Sequence, residues 1–102
     1  MIKASLTEKQ LIDFNNDGFL TVDNFIELQY LEDLKTRINL LFKGSFETGI
    51  EPDEWNWRQE RDPIDVTRQI CNAWKSDSLI KRLVCSLIIG ESVSKLMGWK
   101  GA

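Results

Sequence analysis

The stretch DFNNDGFLTVDNF, Asp13 to Phe25, has the residue types and spacing of a calcium loop. Read as a twelve-residue EF-hand loop from Asp13, it places oxygen-bearing side chains at the first, third and fifth positions, Asp13, Asn15 and Asp17. Gly18 falls at the sixth, where the loop must turn sharply, and Leu20 is apolar just beyond it. The twelfth position calls for a Glu that grips the ion with both oxygens; Asn24 stands there, a neutral amide that offers one. No second Asp/Asn/Gly loop is present to complete the usual pair. Asn15, Asn16, Asp17 and Gly18 are equally well explained as helix-terminating and turn residues. A degenerate calcium binder is therefore the third of three functional readings.

Trp55, Trp57 and Arg58 form the other chemically suggestive group. Alternate residues of an extended segment share a face, so two indoles could form a platform for a planar or apolar substrate while Arg58 holds an anion. The structural alternative is that both tryptophans anchor a long loop on the helices. Asp53 and Glu54 are adjacent carboxylates, but neighbours on an irregular segment do not face each other across a substrate as an acid and a base must; Asp53 is expected to cap a turn after Pro52. Cys71 and Cys85 lack the spacing of a CxxC clip and read as reduced, buried small hydrophobes. Lys81 and Arg82 read as a solvated helix face.

The chain contains no histidine. That removes a Ser/His or Cys/His nucleophile pair, a histidine general base, and the common zinc and non-haem iron sites that need imidazole. No catalytic, cofactor-binding or metal-ligating residue is assigned.

Composition bounds the remaining classes. A chain of 102 residues, 42 % hydrophobic and 28 % charged, is expected to be a single domain or fragment spanning 1–102 that buries roughly 60 to 65 % of its unfolded surface. Asp and Glu outnumber Lys and Arg by 16 to 13, so the basic footprint for a phosphate backbone is missing and nucleic acid is not an expected partner. The most apolar run, Leu79 to Gly90, is broken by Lys81 and Arg82 and too short to cross a bilayer. The N-terminus lacks the apolar stretch of a secretory signal, so the expected location is cytoplasmic.

The elements that would position these residues follow from spacing. Thr7 with Gln10 has capping-box spacing, Leu6 and Leu11 suit a hydrophobic staple, and Gly18 suits the left-handed residue that ends the helix. Phe19 to Val22 reads as a short strand, and Asp23–Asn24 as a turn or cap. A second helix is expected from about Glu27 to Phe42, with Leu28, Leu31, Leu34, Ile38, Leu41 and Phe42 on its buried face. Lys43 to Pro63 shows no sustained period and reads as irregular. Val66, Ile70 and Trp74 fall on one helical stripe, Ser76 or Asp77 can cap a helix through Val84, and Leu87 to Met97 form a last helix stopped by Gly98. Trp74 and Trp99, at the ends of apolar stripes, are expected in a core or an interface.

The phrase LTEKQLIDFNNDGFLTVDNF followed by a leucine-rich helix resembles the N-terminal opening of the phytanoyl-CoA dioxygenase family. FETGIEPDEWNWR (Phe46 to Arg58), DVTRQICNAWKSD (Asp65 to Asp77) and LMGW (Leu96 to Trp99) continue the resemblance in order. It implies an iron(II) and 2-oxoglutarate dependent oxygenase built on a double-stranded β-helix, or jelly roll. In that family a His-x-Asp pair and a distant His hold the iron, and a later Arg holds the 2-oxoglutarate carboxylate. None of these has a counterpart here.

The expected fold class is therefore mostly α with one or two short β-strands (α+β), the N-terminal helical part of such an oxygenase with its jelly-roll core missing. The leading functional reading is a truncated relative, inactive as this chain. Iron(II) and 2-oxoglutarate are cofactors implied only for a full-length relative. Trp55, Trp57 and Arg58 are then a candidate substrate-side loop. The rival reading is a small helical self-associating or protein-interaction module. The strand at Phe19 to Val22 must find a hydrogen-bonding neighbour, either another segment near Trp99 or a second copy of the chain, so a homo-oligomer is the expected partner state.

Overall fold

The computed structural model describes residues 6–100. It is mostly helical, with a two-stranded antiparallel sheet. The chain divides into two compact units: one comprises residues 6–31 and 85–100 of the described chain, the other residues 32–84.

In the first unit, α1 (Glu8–Asp17) begins where the capping-box spacing puts it. Thr7 Oγ1 accepts from the Gln10 N–H at 3.2 Å, and Gln10 Oε1 accepts from the Thr7 N–H at 2.8 Å, so two helix-end donors are satisfied reciprocally. The helix stops at Gly18, whose φ of 79° is left-handed and whose N–H donates to Phe14 O at 2.8 Å. Asp13, Asn15 and Asp17 all lie on α1, so the loop that would gather them round an ion is not formed.

Phe19 to Val22 is not a strand. Its side chains do alternate, Phe19 and Thr21 exposed, Leu20 and Val22 half-buried, as an extended segment demands. The two inward residues join Leu6, Phe25, Ile89 and Leu96 around a small apolar hollow of about 160 Å³. The hydrophobic alternation was legible, but a ladder requires a second strand, and the sheet among the described residues lies in the other unit. Asp23–Asn24 turns as expected, with Asn24 left-handed at φ 54°. Helix α4 (Leu87–Met97) presents Ile89 and Leu96 to the hollow and ends at left-handed Gly98.

Helix α2 (Leu28–Phe42) contains the boundary between the two units. Its buried stripe is Tyr30, Leu34 and Leu41, with Arg37 half-buried between the last two. The expected face was broader: Leu28, Leu31 and Ile38 are exposed, because steps of three and four residues are compatible with more than one stripe of a leucine-rich helix. At its C-terminus Gly44, φ 86°, donates to Leu41 O. A Cβ there would stand 2.8 Å from the Trp55 ring, so conformation and space both require glycine.

In residues 32–84, β1 (Glu54–Asn56) pairs antiparallel with β2 (Gln69–Cys71), Trp55 opposite Ile70. This corrects two expectations. The segment Lys43 to Pro63 carries a strand, and Val66, Ile70 and Trp74 do not share a helix. The period-four coincidence of those three residues lost to a strand pairing that satisfies backbone groups across the chain. After β2, Asn72 turns left-handed at φ 58° and a 3-10 turn (Ala73–Lys75) leads to α3 (Ser78–Val84). Of the two expected caps, Ser76 and Asp77, it is Asp77 that caps α3, Oδ1 accepting from Leu79 N–H at 2.9 Å and Ile80 N–H at 3.3 Å. Its other oxygen takes Arg37 Nε at 2.6 Å. Arg37 also pairs with Glu47, whose Oε1 accepts from the Ser78 N–H.

Candidate functional site

The tryptophan and arginine pairs that surround the sheet in residues 32–84 offer the best-defined chemistry. Trp55, on β1, is half-buried; its ring meets Phe46 edge-on at a centroid distance of 5.2 Å, and the Arg58 guanidinium lies 4.0 Å from its ring centroid. Trp57 is 5 % exposed. Its indole N–H donates to Pro63 O at 2.6 Å, its ring stands edge-on to Phe42 at 5.9 Å, and Arg68 covers it with the guanidinium 3.9 Å from the centroid.

Trp55, Trp57 and Arg58 therefore do not form one open platform. Each indole is held by a different phenylalanine and roofed by a different arginine. The turn after the strand is held at Arg58: its N–H donates to Asp62 Oδ2 at 2.7 Å, Asp62 N–H returns to Arg58 O at 3.0 Å, and Arg61 pairs with Asp62. The Arg61 hydrogen bond, followed by the Arg58 N–H, holds the Asp62 carboxyl below its ordinary range.

Asp53 also departs from expectation. Rather than capping a turn after Pro52, its carboxylate accepts from Lys75 Nζ at 2.8 Å and from Asn72 Nδ2. The Lys75 hydrogen bond, then that of Asn72, lowers its pKa. The pair Asp53 and Glu54 thus serves β2 and its following turn, Asp53 on Asn72 and Lys75, Glu54 within 3.4 Å of Cys71 Sγ. The Glu54 carboxylate raises the Cys71 pKa, which holds the thiol in its unreactive form. Cys71 and Cys85 are both free, as expected, but Cys71 is half-buried and Cys85 exposed rather than buried. Trp74 and Trp99 are exposed, so neither is a core residue. Lys81 and Arg82 lie on the solvent side of α3.

Two hollows in this unit differ in electrostatic character. One of about 370 Å³ is lined by Asp33, Arg37, Glu47 and Arg82, among others; its charges are of both signs, and Arg37 is already committed to Glu47 and Asp77. The other, of about 290 Å³, is lined by Phe42, Lys43, Trp57, Ile64 and Arg68, with the amides of Asn39 and Gln59. It contains two cations and no carboxylate.

Lys43 and Arg68 were not singled out by sequence reasoning. The WNWR phrase drew attention to Arg58 because it is adjacent, whereas Arg68 reaches Trp57 only after the chain has passed Pro63 and turned back into β2. The composition of the segment carries no sign of that return.

No group of three or more His, Cys, Asp and Glu able to hold a metal occurs among the described residues, and no helix among them is long and apolar enough to cross a membrane. Compared with protein-family models, with curated proteins and with solved structures, the chain matches none.

Proposed function

We propose that this chain is a small helical interaction module, catalytically inert by itself, which associates with a second copy through the unit formed by residues 6–31 and 85–100. The observation that supports it is exposure. In that unit Phe19 is 66 %, Leu87 78 % and Trp99 59 % exposed, and Tyr30 is its one buried large apolar side chain among the described residues. Single exposed apolar side chains are ordinary, and a contiguous group of them is a feature of surfaces that meet protein; on this reading Phe19, Leu87 and Trp99 are such a group. A cytoplasmic location belongs to the same proposal.

The resemblance to the phytanoyl-CoA dioxygenase family supports a second reading, in which the cover comes from the remainder of such a protein. What supports it is the succession of α1, Gly18 and α2; the strand that the resemblance implies at Phe19 to Val22 is not formed. The residues present do not fit that family's iron, since the chain has no histidine, and on either reading the chain is inert.

Calorimetric titration with iron(II) and 2-oxoglutarate is expected to give no binding heat; a tight signal contradicts inertness. Sedimentation velocity over a broad concentration range tests association, with a rising weight-average sedimentation coefficient expected.

A further inference from the structure

We propose that the hollow beside Trp57 binds a small organic anion, a carboxylate or phosphate carried on an apolar body. Its wall is built before any ligand arrives. Trp57 is fixed by its hydrogen bond to Pro63 O, by the Phe42 ring and by Arg68 over its face, so little ordering remains to oppose binding.

The charge on this wall is not neutralised by a carboxylate. Lys9, Lys35, Arg37, Arg61 and Lys75 pair with carboxylates, whereas Lys43 and Arg68, like Arg58, Lys81, Arg82 and Lys95, make no ion pair among the described residues. What sets Lys43 and Arg68 apart is that both line one hollow where no Asp or Glu stands. Glu60 borders the adjoining hollow of about 360 Å³, beside Lys43 and Gln59, which directs an anion to the Arg68 side. The whole chain carries −3, so two unpaired cations facing one concavity are a local feature and not a consequence of composition.

The C-terminal end of α2 lies here, and its dipole disfavours an anion. Its last carbonyls are already taken, however: Asn39 O and Leu40 O accept from Lys43 N–H, Leu41 O from Gly44 N–H and Phe42 O from Gln59 N–H. From that end Asn39 and Lys43 line the hollow, and none of these four backbone carbonyls is left without a donor.

Ligand class follows from these groups. The Arg68 guanidinium offers a planar fork that suits a carboxylate or a phosphate, and Lys43 supplies a second positive charge. Because Arg68 occupies the Trp57 face, the apolar part of the ligand rests on Phe42 and on Ile64, which is 82 % exposed. A volume of about 290 Å³ lies at the small end of ligand pockets, roughly 300–1,000 Å³, and suits one ring or a short chain.

The test is a titration of the isotope-labelled full chain, following the Trp57 indole N–H and the Lys43 and Gln59 amides by NMR. The probes are phenylacetate, phenyl phosphate, neutral phenylethanol and inorganic phosphate. Saturable shifts with phenylacetate or phenyl phosphate, and their absence with phenylethanol, are expected; the tighter of the two anions identifies the headgroup. Arg68→Gln and, separately, Lys43→Gln are each expected to weaken binding roughly tenfold or more, as loss of a charge-assisted hydrogen bond implies. Lys43 is exposed and carries no side-chain contact that folding needs, so its variant decides the matter if Arg68→Gln unfolds. The proposal is overturned if neither aryl anion shifts these signals, if phenylethanol or inorganic phosphate does as well, or if Lys43→Gln binds unchanged. Each arm is read on monomeric protein at low concentration, so its outcome does not depend on self-association.

Discussion

Arg37 Nε donates to Asp77 Oδ2 across 2.6 Å, joining the middle of α2 to the residue that caps α3. The Asp77 side chain is 3 % exposed and that of Arg37 is 29 %, and the other Asp77 oxygen caps α3. One carboxylate therefore satisfies a helix end and a half-buried cation together. Asp77→Ala removes both and is expected to cost about 2–4 kcal/mol. Asp77→Asn keeps a capping oxygen and is expected to lose less. Urea denaturation of the two variants checks the order; equal losses, or a cost below about 1 kcal/mol for Asp77→Ala, contradict the dual role.

Gly44→Ala tests the approach of Trp55 to the end of α2. The left-handed φ and a Cβ 2.8 Å from the ring act in the same direction, and a loss of about 2–3 kcal/mol is expected. Gly49→Ala, also left-handed but with open space around its Cβ, is expected to cost about 1 kcal/mol. If the two losses are equal in thermal melts, the ring contact contributes nothing.

Acid stability carries the mark of Asp53. Its folded pKa lies below the ordinary carboxyl value of 3.8, so the unfolded chain binds the proton first. The stabilisation from its Lys75 and Asn72 hydrogen bonds is complete above that unfolded value and is lost as pH falls through the folded one. Asp53→Asn should therefore differ from the parent by a constant amount at neutral pH and approach it below pH 3.8. A stability difference that grows with acidification contradicts this sign.

Thiol chemistry separates the two cysteines. Glu54 raises the Cys71 pKa, and Cys85 is exposed. Near neutral pH, Cys85 is expected to react with a maleimide faster than Cys71. In a Cys85→Ser background, Glu54→Gln is expected to accelerate modification of Cys71, because the thiolate is what reacts. An unchanged rate removes the electrostatic explanation.

The helix ends were legible because each is a local device. Thr7 with Gln10, Gly18, Asp77 and Gly98 act within a few residues, and all four sit where their chemistry puts them. The strands were not legible, since Glu54–Asn56 and Gln69–Cys71 exist only as a pair and each is three residues long. Val66, Ile70 and Trp74 satisfied a helical period by coincidence, and nothing local argues against it. At the candidate site, Trp55 and Trp57 were legible as aromatic anchors, whereas the Arg68 roof depends on that same strand pairing and had no local signal.

Self-association is tested most directly by sedimentation velocity on the parent chain beside Leu87→Lys and Trp99→Ser, all carried over a broad concentration range. Both residues are exposed, so their replacement is expected to leave folding intact. The parent should sediment increasingly as a dimer as concentration rises, with either substitution weakening the dimer roughly tenfold or more, as loss of a buried anchor at an interface does. A parent that remains monomeric throughout, or a dimer indifferent to both substitutions, contradicts the account.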